Sequence, residues 1–190
     1  MPDSDTDKNK SDQELVELVL KDQENLAYII ERYEKQLTRY IGRISSAGKE
    51  DTEDLLQEIF IKVYQNINSF DPDLKFSSWL YRIAHNQTID YFRKNKNKSA
   101  LISLDDDNGL AEVLQSEFDL EKDLAKKDLK KEIIKTLEKM EAKYREILIL
   151  KFLEEKSYRE ISDILQKPEG TVATLINRAK KEFKKLYEQS

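Results

Sequence analysis

Wherever apolar side chains gather in this chain they return at three- and four-residue steps, and nowhere do they alternate as a half-buried strand requires. The longest such stripe is Leu26, Ile29, Ile30, Tyr33, Leu37, Tyr40, Ile41 and Ile44, which closes at a Ser45 to Gly48 breaker. Only four glycines and three prolines punctuate the 190 residues, so few places exist to stop a helix once begun. The expected fold is all-α.

The stripes fall into two groups. Ser11 followed by Glu14 has the S-x-x-E pattern of a helix start and opens into Leu15, Leu18 and Val19, so residues 1–10 read as a disordered tail and residues 11–98 as a helical bundle. Between Ser99 and about residue 128 apolar residues are sparse, and the DDDNG run at Asp105 to Gly109 breaks any helix, which suggests a flexible acidic linker. Periodicity resumes at Leu129 through Ile133, Ile134, Leu137 and Met140, then through Tyr144, Ile147, Leu148 and Leu150, giving a second small domain at 129–190. Its last part reads as two helices with a tight connection: Ser157 to Leu165, opened by a Ser157/Glu160 capping box, then about Pro168 to Tyr187. That is a helix-turn-helix pattern.

Composition removes several function classes. The chain has no cysteine and one histidine, His85, so disulfides and thiolate or multi-histidine metal sites are excluded; no metal or other cofactor is expected. No glycine-rich phosphate loop, nucleophile elbow or H-E-x-x-H occurs, so the chain does not read as an enzyme. No apolar run approaches the roughly 18 residues of a membrane span, and the polar start cannot serve as a secretory signal; a cytoplasmic location is expected. The formal net charge is -5 but unevenly spread: residues 1–100 carry 15 basic and 18 acidic groups, 101–123 carry 1 and 8, and 124–190 carry 17 and 12. An acidic total argues against strong indiscriminate DNA binding by the free chain, while local basic faces remain able to meet phosphates.

Two segments carry candidate binding residues. In DTEDLLQEIFIKVYQNI, Leu55, Leu56, Ile59, Phe60, Val63 and Ile67 share one face, which leaves Asp54, Gln57, Glu58 and Lys62 as an exposed, largely acidic ridge. In SSWLYRIAHNQTIDYFRK, Leu80, Ile83 and Ala84 can face a core and turn Trp79, Arg82, Asn86, Asp90 and Arg93 outward, a mixture suited to unstacked bases and phosphates. Read more plainly, Trp79 is a core or interface residue, the Arg93, Lys94, Lys96 and Lys98 cluster is a solvated helix end, and His85 is a surface histidine. In the last helix Val172, Ile176, Ala179 and Phe183 form the buried face, and Glu169, Thr171 and Thr174 would meet base edges if it is a recognition helix rather than half of an ordinary hairpin.

Together these residues resemble the extracytoplasmic-function group of bacterial RNA polymerase sigma factors, over about residues 11–98 and 129–187. The resemblance implies that DTEDLLQEIFIKVY, with Asp54, Gln57, Glu58 and Phe60, docks on core RNA polymerase. It implies that FSSWLYRIAHNQTIDYFRK binds the melted minus-ten element as a single strand, with Asn86 near a flipped base and Trp79, Arg82, Asp90 and Arg93 around it. It further implies that SYREISDILQKPEGTVATLINRAKKEF reads the minus-thirty-five duplex through Glu169, Gly170, Thr171, Ala173, Thr174 and Arg178. Core polymerase and promoter DNA are the implied partners, with an anti-sigma factor, common in the family, as a further one. By position and charge, Asp105 to Asp107 would sit where related linkers thread toward the active centre. Two departures stand out: Gln166 and Lys167 replace the glycine and apolar residue usual in the turn, and Ala173, Thr174 and Leu175 replace residues that are often lysine, serine and arginine. The competing class is a stand-alone helix-turn-helix regulator whose first bundle senses a ligand or dimerises.

Overall fold

The computed structural model describes residues 10–45, 47–95 and 132–189. The expected tail, save Lys10, and the acidic linker with Asp105 to Asp107 lie outside the described residues. Among those described, every regular element is helical.

Helix α1 (Asp12–Lys21) starts at the reciprocal cap read from the sequence: the Glu14 amide donates to the Ser11 hydroxyl, and the Glu14 carboxylate accepts from the Ser11 amide. A short 3-10 turn (Gln23–Asn25) leads into α2 (Leu26–Ser45), followed by α3 (Lys49–Asn66) and α4 (Phe76–Asn95). Leu15, Val19, Ile29, Leu37, Ile41, Leu55, Ile59, Val63 and Leu80 meet at the centre, each at most 1% exposed. Each such side chain contributes about 1.5–3 kcal/mol relative to exposure, so this cluster dominates the stability of the first group. Polar ties fix the helix ends: Asp12 accepts from Arg32 at 2.9 Å and Tyr33 at 2.5 Å, and Asp51 on α3 accepts from Tyr91 on α4 at 2.6 Å.

The second group begins with a helical segment at 132–138 (α5), then α6 (Ala142–Leu148), which runs on as a π-helical turn (Ile149–Leu153). Helices α7 (Tyr158–Leu165) and α8 (Glu169–Tyr187) form the helix-turn-helix. Ile147, Leu148, Ile149 and Leu150 are buried four in succession, more than one face of a 3.6-residue helix can hide. They are covered from two sides, by α8 of their own group and by α2 of the first. Helix α4 likewise packs on α7, and one apolar core runs through both groups. The all-helical, two-group architecture is the one expected from the sequence; the direct packing of one group on the other was not anticipated.

Candidate nucleic-acid interface

Helix α3 buries Leu55, Leu56, Ile59, Phe60 and Val63, and its opposite side exposes Asp54, Gln57 and Glu58 as a ridge. Phe60 is the exception among the expected docking residues, at 7% exposure, because it shares the face of Leu56, Ile59 and Val63. It can support the ridge from behind but offers little surface of its own. Ile61 and Tyr64 extend the ridge, 55% and 44% exposed and seven residues beyond Asp54 and Gln57. They were missed in the sequence, although an apolar residue two positions after Ile59 cannot share its face and had to be either wasted or used.

On α4, Arg82 and Asp90 are half-buried and Asn86 and Arg93 exposed; steps of four, four and three align them along one side. Arg93 pairs with Asp90 at 3.0 Å in solvent. Such a pair contributes about 1 kcal/mol at most, so a phosphate can take the guanidinium from it. Ile89 stands exposed on the same side and was also unforeseen. The outward placement of Trp79 is corrected: it is 6% exposed and packs against Phe70 and Phe76, with ring centroids at 5.5 and 5.6 Å. Its three-residue step from Phe76 puts both rings on the core side, so Trp79 braces the helix from within rather than offering an open stacking face. His85 is not a free surface histidine either. It is half-buried, and its Nδ1 pairs with Glu146 from the second group, a partner 61 positions away that local sequence cannot reveal.

Helix α7 is fixed by the expected Ser157/Glu160 box. Burial works against ionisation of Glu160, but hydrogen bonds from the Ser157 side chain and amide and from Lys75 outweigh it and hold the carboxyl below its usual range. The turn then passes through Gln166 in the left-handed region, φ 52° and ψ 46°. The amides of Gln166 and Lys167 both donate to the Ser162 carbonyl, and the Ser162 hydroxyl donates to the Lys167 carbonyl at 2.5 Å. This wraps the end of α7 and sends α8 off at its proper angle.

On α8, Val172, Ile176 and Ala179 are buried, while Glu169, Gly170, Thr171, Thr174 and Arg178 are exposed and Ala173 is half-buried. No side chain caps the first turn; the Thr171 and Val172 amides donate to the Pro168 carbonyl, which leaves the Glu169 and Gly170 amides and the positive end of the helix dipole for a phosphate. The Thr174 hydroxyl donates to the Gly170 carbonyl at 2.9 Å, which leaves its lone pairs as acceptors toward a base. A Cβ at Gly170 would meet nothing within 4 Å, so the glycine serves no packing need within the chain. Leu175 packs, partly buried, against the core. Among the described residues no three His, Asp or Glu gather as metal ligands, and no helix is long and apolar enough to cross a membrane.

Comparison with known proteins agrees with this geometry. The family model of sigma-70 region 2 matches residues 29–98, and that of sigma-70 region 4 matches residues 130–183. The chain is 38% identical to the ECF RNA polymerase sigma factor SigW of Bacillus subtilis (strain 168), over 86% of this chain and 89% of that one. It is 33% identical to the ECF RNA polymerase sigma-E factor of Escherichia coli (strain K12), over 90% and 91%. Among solved structures, the fold resembles CnrH, determined in complex with the cytosolic domain of CnrY, at a TM-score of 0.70 and 21% identity, covering 95% and 99% of the two chains. It also resembles the sigma factor RpoE of Bartonella quintana, determined with the anti-sigma factor NepR, at a TM-score of 0.59 and 20% identity, covering 81% and 91%. With both regions matched in order and near relatives spanning almost the whole chain, this protein belongs to the extracytoplasmic-function sigma factors, the promoter-specificity subunits of RNA polymerase.

Proposed function

We propose that the chain docks on core RNA polymerase through the α3 ridge of Asp54, Gln57, Glu58, Ile61 and Tyr64, captures melted minus-ten DNA on α4, and reads the minus-thirty-five duplex with α8. The observation that carries this reading is the coexistence on one chain of three separate exposed surfaces, one acidic and apolar, one mixed amide and basic, and one at a helix-turn-helix N-terminus. On α4, Arg82 and Arg93 supply phosphate contacts, Asn86 offers donors and an acceptor to an extruded base, and Ile89 provides an apolar surface beside it. Because unpairing costs a few kcal/mol per base, a side chain that binds only the extruded form pulls the melting equilibrium toward the open state. On α8, Glu169, Thr171 and Thr174 face base edges, and the helix N-terminus with Arg178 faces phosphate. The family is not a class of enzymes, and the chain acts by binding. An anti-sigma factor fits as a partner on the same account. A stand-alone regulator is not favoured, since it leaves the whole region-2 match without a role.

In vitro transcription from genomic fragments, with core polymerase alone and with this protein added, tests the reading; discrete new starts sharing two upstream elements are expected. Asn86→Ala should lower promoter opening, read by permanganate reactivity, by about ten-fold, the order of one lost base contact, with core binding unchanged. Asp54→Ala with Gln57→Ala should do the reverse. Equal losses of binding and opening in both variants would sink the division of roles.

A further inference from the structure

From the end of α7 at Leu165 to the first buried side chain of α8 at Val172, the chain runs through residues 166–171, all of them exposed. Glu169, Gly170 and Thr171, which the reading above places at the duplex, fall within this stretch. The buried stripe of Val172, Ile176 and Ala179 anchors the helix only beyond its first turn. Placement of the first turn therefore falls to hydrogen bonds.

Ser162 makes three of them. Its carbonyl accepts from the Gln166 amide and, at 3.2 Å, from the Lys167 amide, and its hydroxyl donates to the Lys167 carbonyl at 2.5 Å. The other side-chain bonds nearby each stay on one side of the turn: Gln166 Nε2 returns to the Asp163 carbonyl, and the Thr174 hydroxyl bonds Gly170 within α8. Among the described residues, the Ser162 hydroxyl is thus the one side-chain group of α7 that reaches the far arm of the turn.

That bond lands where it has most leverage. The Lys167 carbonyl belongs to the peptide unit joining Lys167 to Pro168, and Pro168 is the N-cap of α8. Proline has no amide hydrogen, so this unit offers one hydrogen-bonding group instead of two, and Ser162 holds it. One unit further on, the Pro168 carbonyl accepts from Thr171 and Val172 and so begins the helix. Fixing the plane before Pro168 therefore sets the direction in which α8 departs. At about 1.5 Å per residue, Glu169 lies about 10 Å from the buried Ile176, so a tilt of about 10° moves it by roughly 2 Å. A hydrogen bond to a base edge tolerates only about 0.5 Å in length.

We propose that Ser162 is the positioning residue of the duplex-reading helix: its hydroxyl, engaged inside the turn, aims the first turn of α8 through the Lys167 carbonyl. This rests on the reading that α8 meets the minus-thirty-five duplex. The turn needs such a hold because its left-handed residue is Gln166, with φ 52°, and a side chain there is strained where glycine is not. Once the hydroxyl is removed, less opposes relaxation of that strain, and the reading residues shift with it.

The test compares, in the full chain, Ser162→Ala, which removes the hydroxyl, with Ser162→Thr, which keeps it. Alanine is the better helix former, so the first change does not weaken α7 through propensity. In the free chain, residual dipolar couplings give the angle between α7 and α8. Ser162→Ala should change or spread that angle by on the order of 10°, and Ser162→Thr should keep the parent value. With core polymerase, transcription is then measured from a promoter carrying the minus-thirty-five element and from one with that element scrambled. The ratio of the two should fall about ten-fold in Ser162→Ala, the order of one lost base contact, with the scrambled promoter used as before; Ser162→Thr should restore the ratio. A merely structural hydroxyl would lower both promoters together with the denaturant midpoint and leave the ratio unchanged, and that outcome overturns the proposal. So does a parent-like angle in Ser162→Ala, or a Ser162→Thr variant that behaves as Ser162→Ala does. Absence of new starts with the parent chain overturns the sigma reading and the promoter half of this one, and the free-chain angle judges the turn by itself.

Discussion

Gln166 carries the left-handed turn between α7 and α8, a backbone conformation that glycine adopts without strain. A side chain in that region costs about 1–2 kcal/mol, only part of which is returned by the side-chain Nε2 of Gln166 donating to the Asp163 carbonyl at 2.7 Å. Gln166→Gly should therefore stabilise the helix-turn-helix by about 0.5–1 kcal/mol after the entropy cost of glycine in the unfolded chain, read as a higher denaturant midpoint at constant slope. At this scale the sequence was legible where neighbours along the chain decide the outcome, as with the residues of the two capping boxes. It was illegible where the decisive neighbour is distant, as when His85 found Glu146, whereas the burial of Trp79 against Phe70 and Phe76 agrees with its plainer reading as a core residue. Phe60 shows a third case, since its burial follows from spacing alone and only its assignment to the docking set obscured that.

Among the elements, α7 depends most on its start. At eight residues it is too short to persist on its own, so one satisfied cap is a large share of what holds it. Ser157→Ala removes the acceptor for the Glu160 amide and should cost about 1 kcal/mol, with weaker duplex binding because α8 is aimed by α7. The box also sets a pH response. Glu160 has a folded pKa below its unfolded value, so its contribution is present above the unfolded carboxylate range near pH 4.5 and is lost as pH falls through the lower folded value. Glu160→Gln should flatten that part of the acid stability profile, measured by chemical denaturation at successive pH values. Element boundaries followed the apolar periodicity closely, but one signal was passed over. Four consecutive apolar residues, Ile147 to Leu150, cannot belong to a helix with only one buried face, and they announced that α6 lies between two bodies.

Across the whole molecule, the same continuous core that joins the groups determines how they come apart. Removing one partner of a buried ion pair typically costs about 3–5 kcal/mol, because a charge is left without compensation. Glu154→Gln would do this to Arg43, its partner across the two groups with both side chains only 7% exposed, yet the chain has a cheaper response than unfolding: if the groups separate, Arg43 meets water and its penalty disappears. The loss is then capped by the free energy of docking one group on the other, and each group keeps the core built from its own helices. The parent chain should melt in one calorimetric transition, while Glu154→Gln should show two, one for each group, with the second group melting on its own. A single transition shifted several degrees lower in the variant would mean that the groups cannot stand apart and that Arg43–Glu154 is an ordinary internal pair. The distinction turns on cooperativity rather than on total stability, which is why the shape of the melt, and not its midpoint alone, decides it.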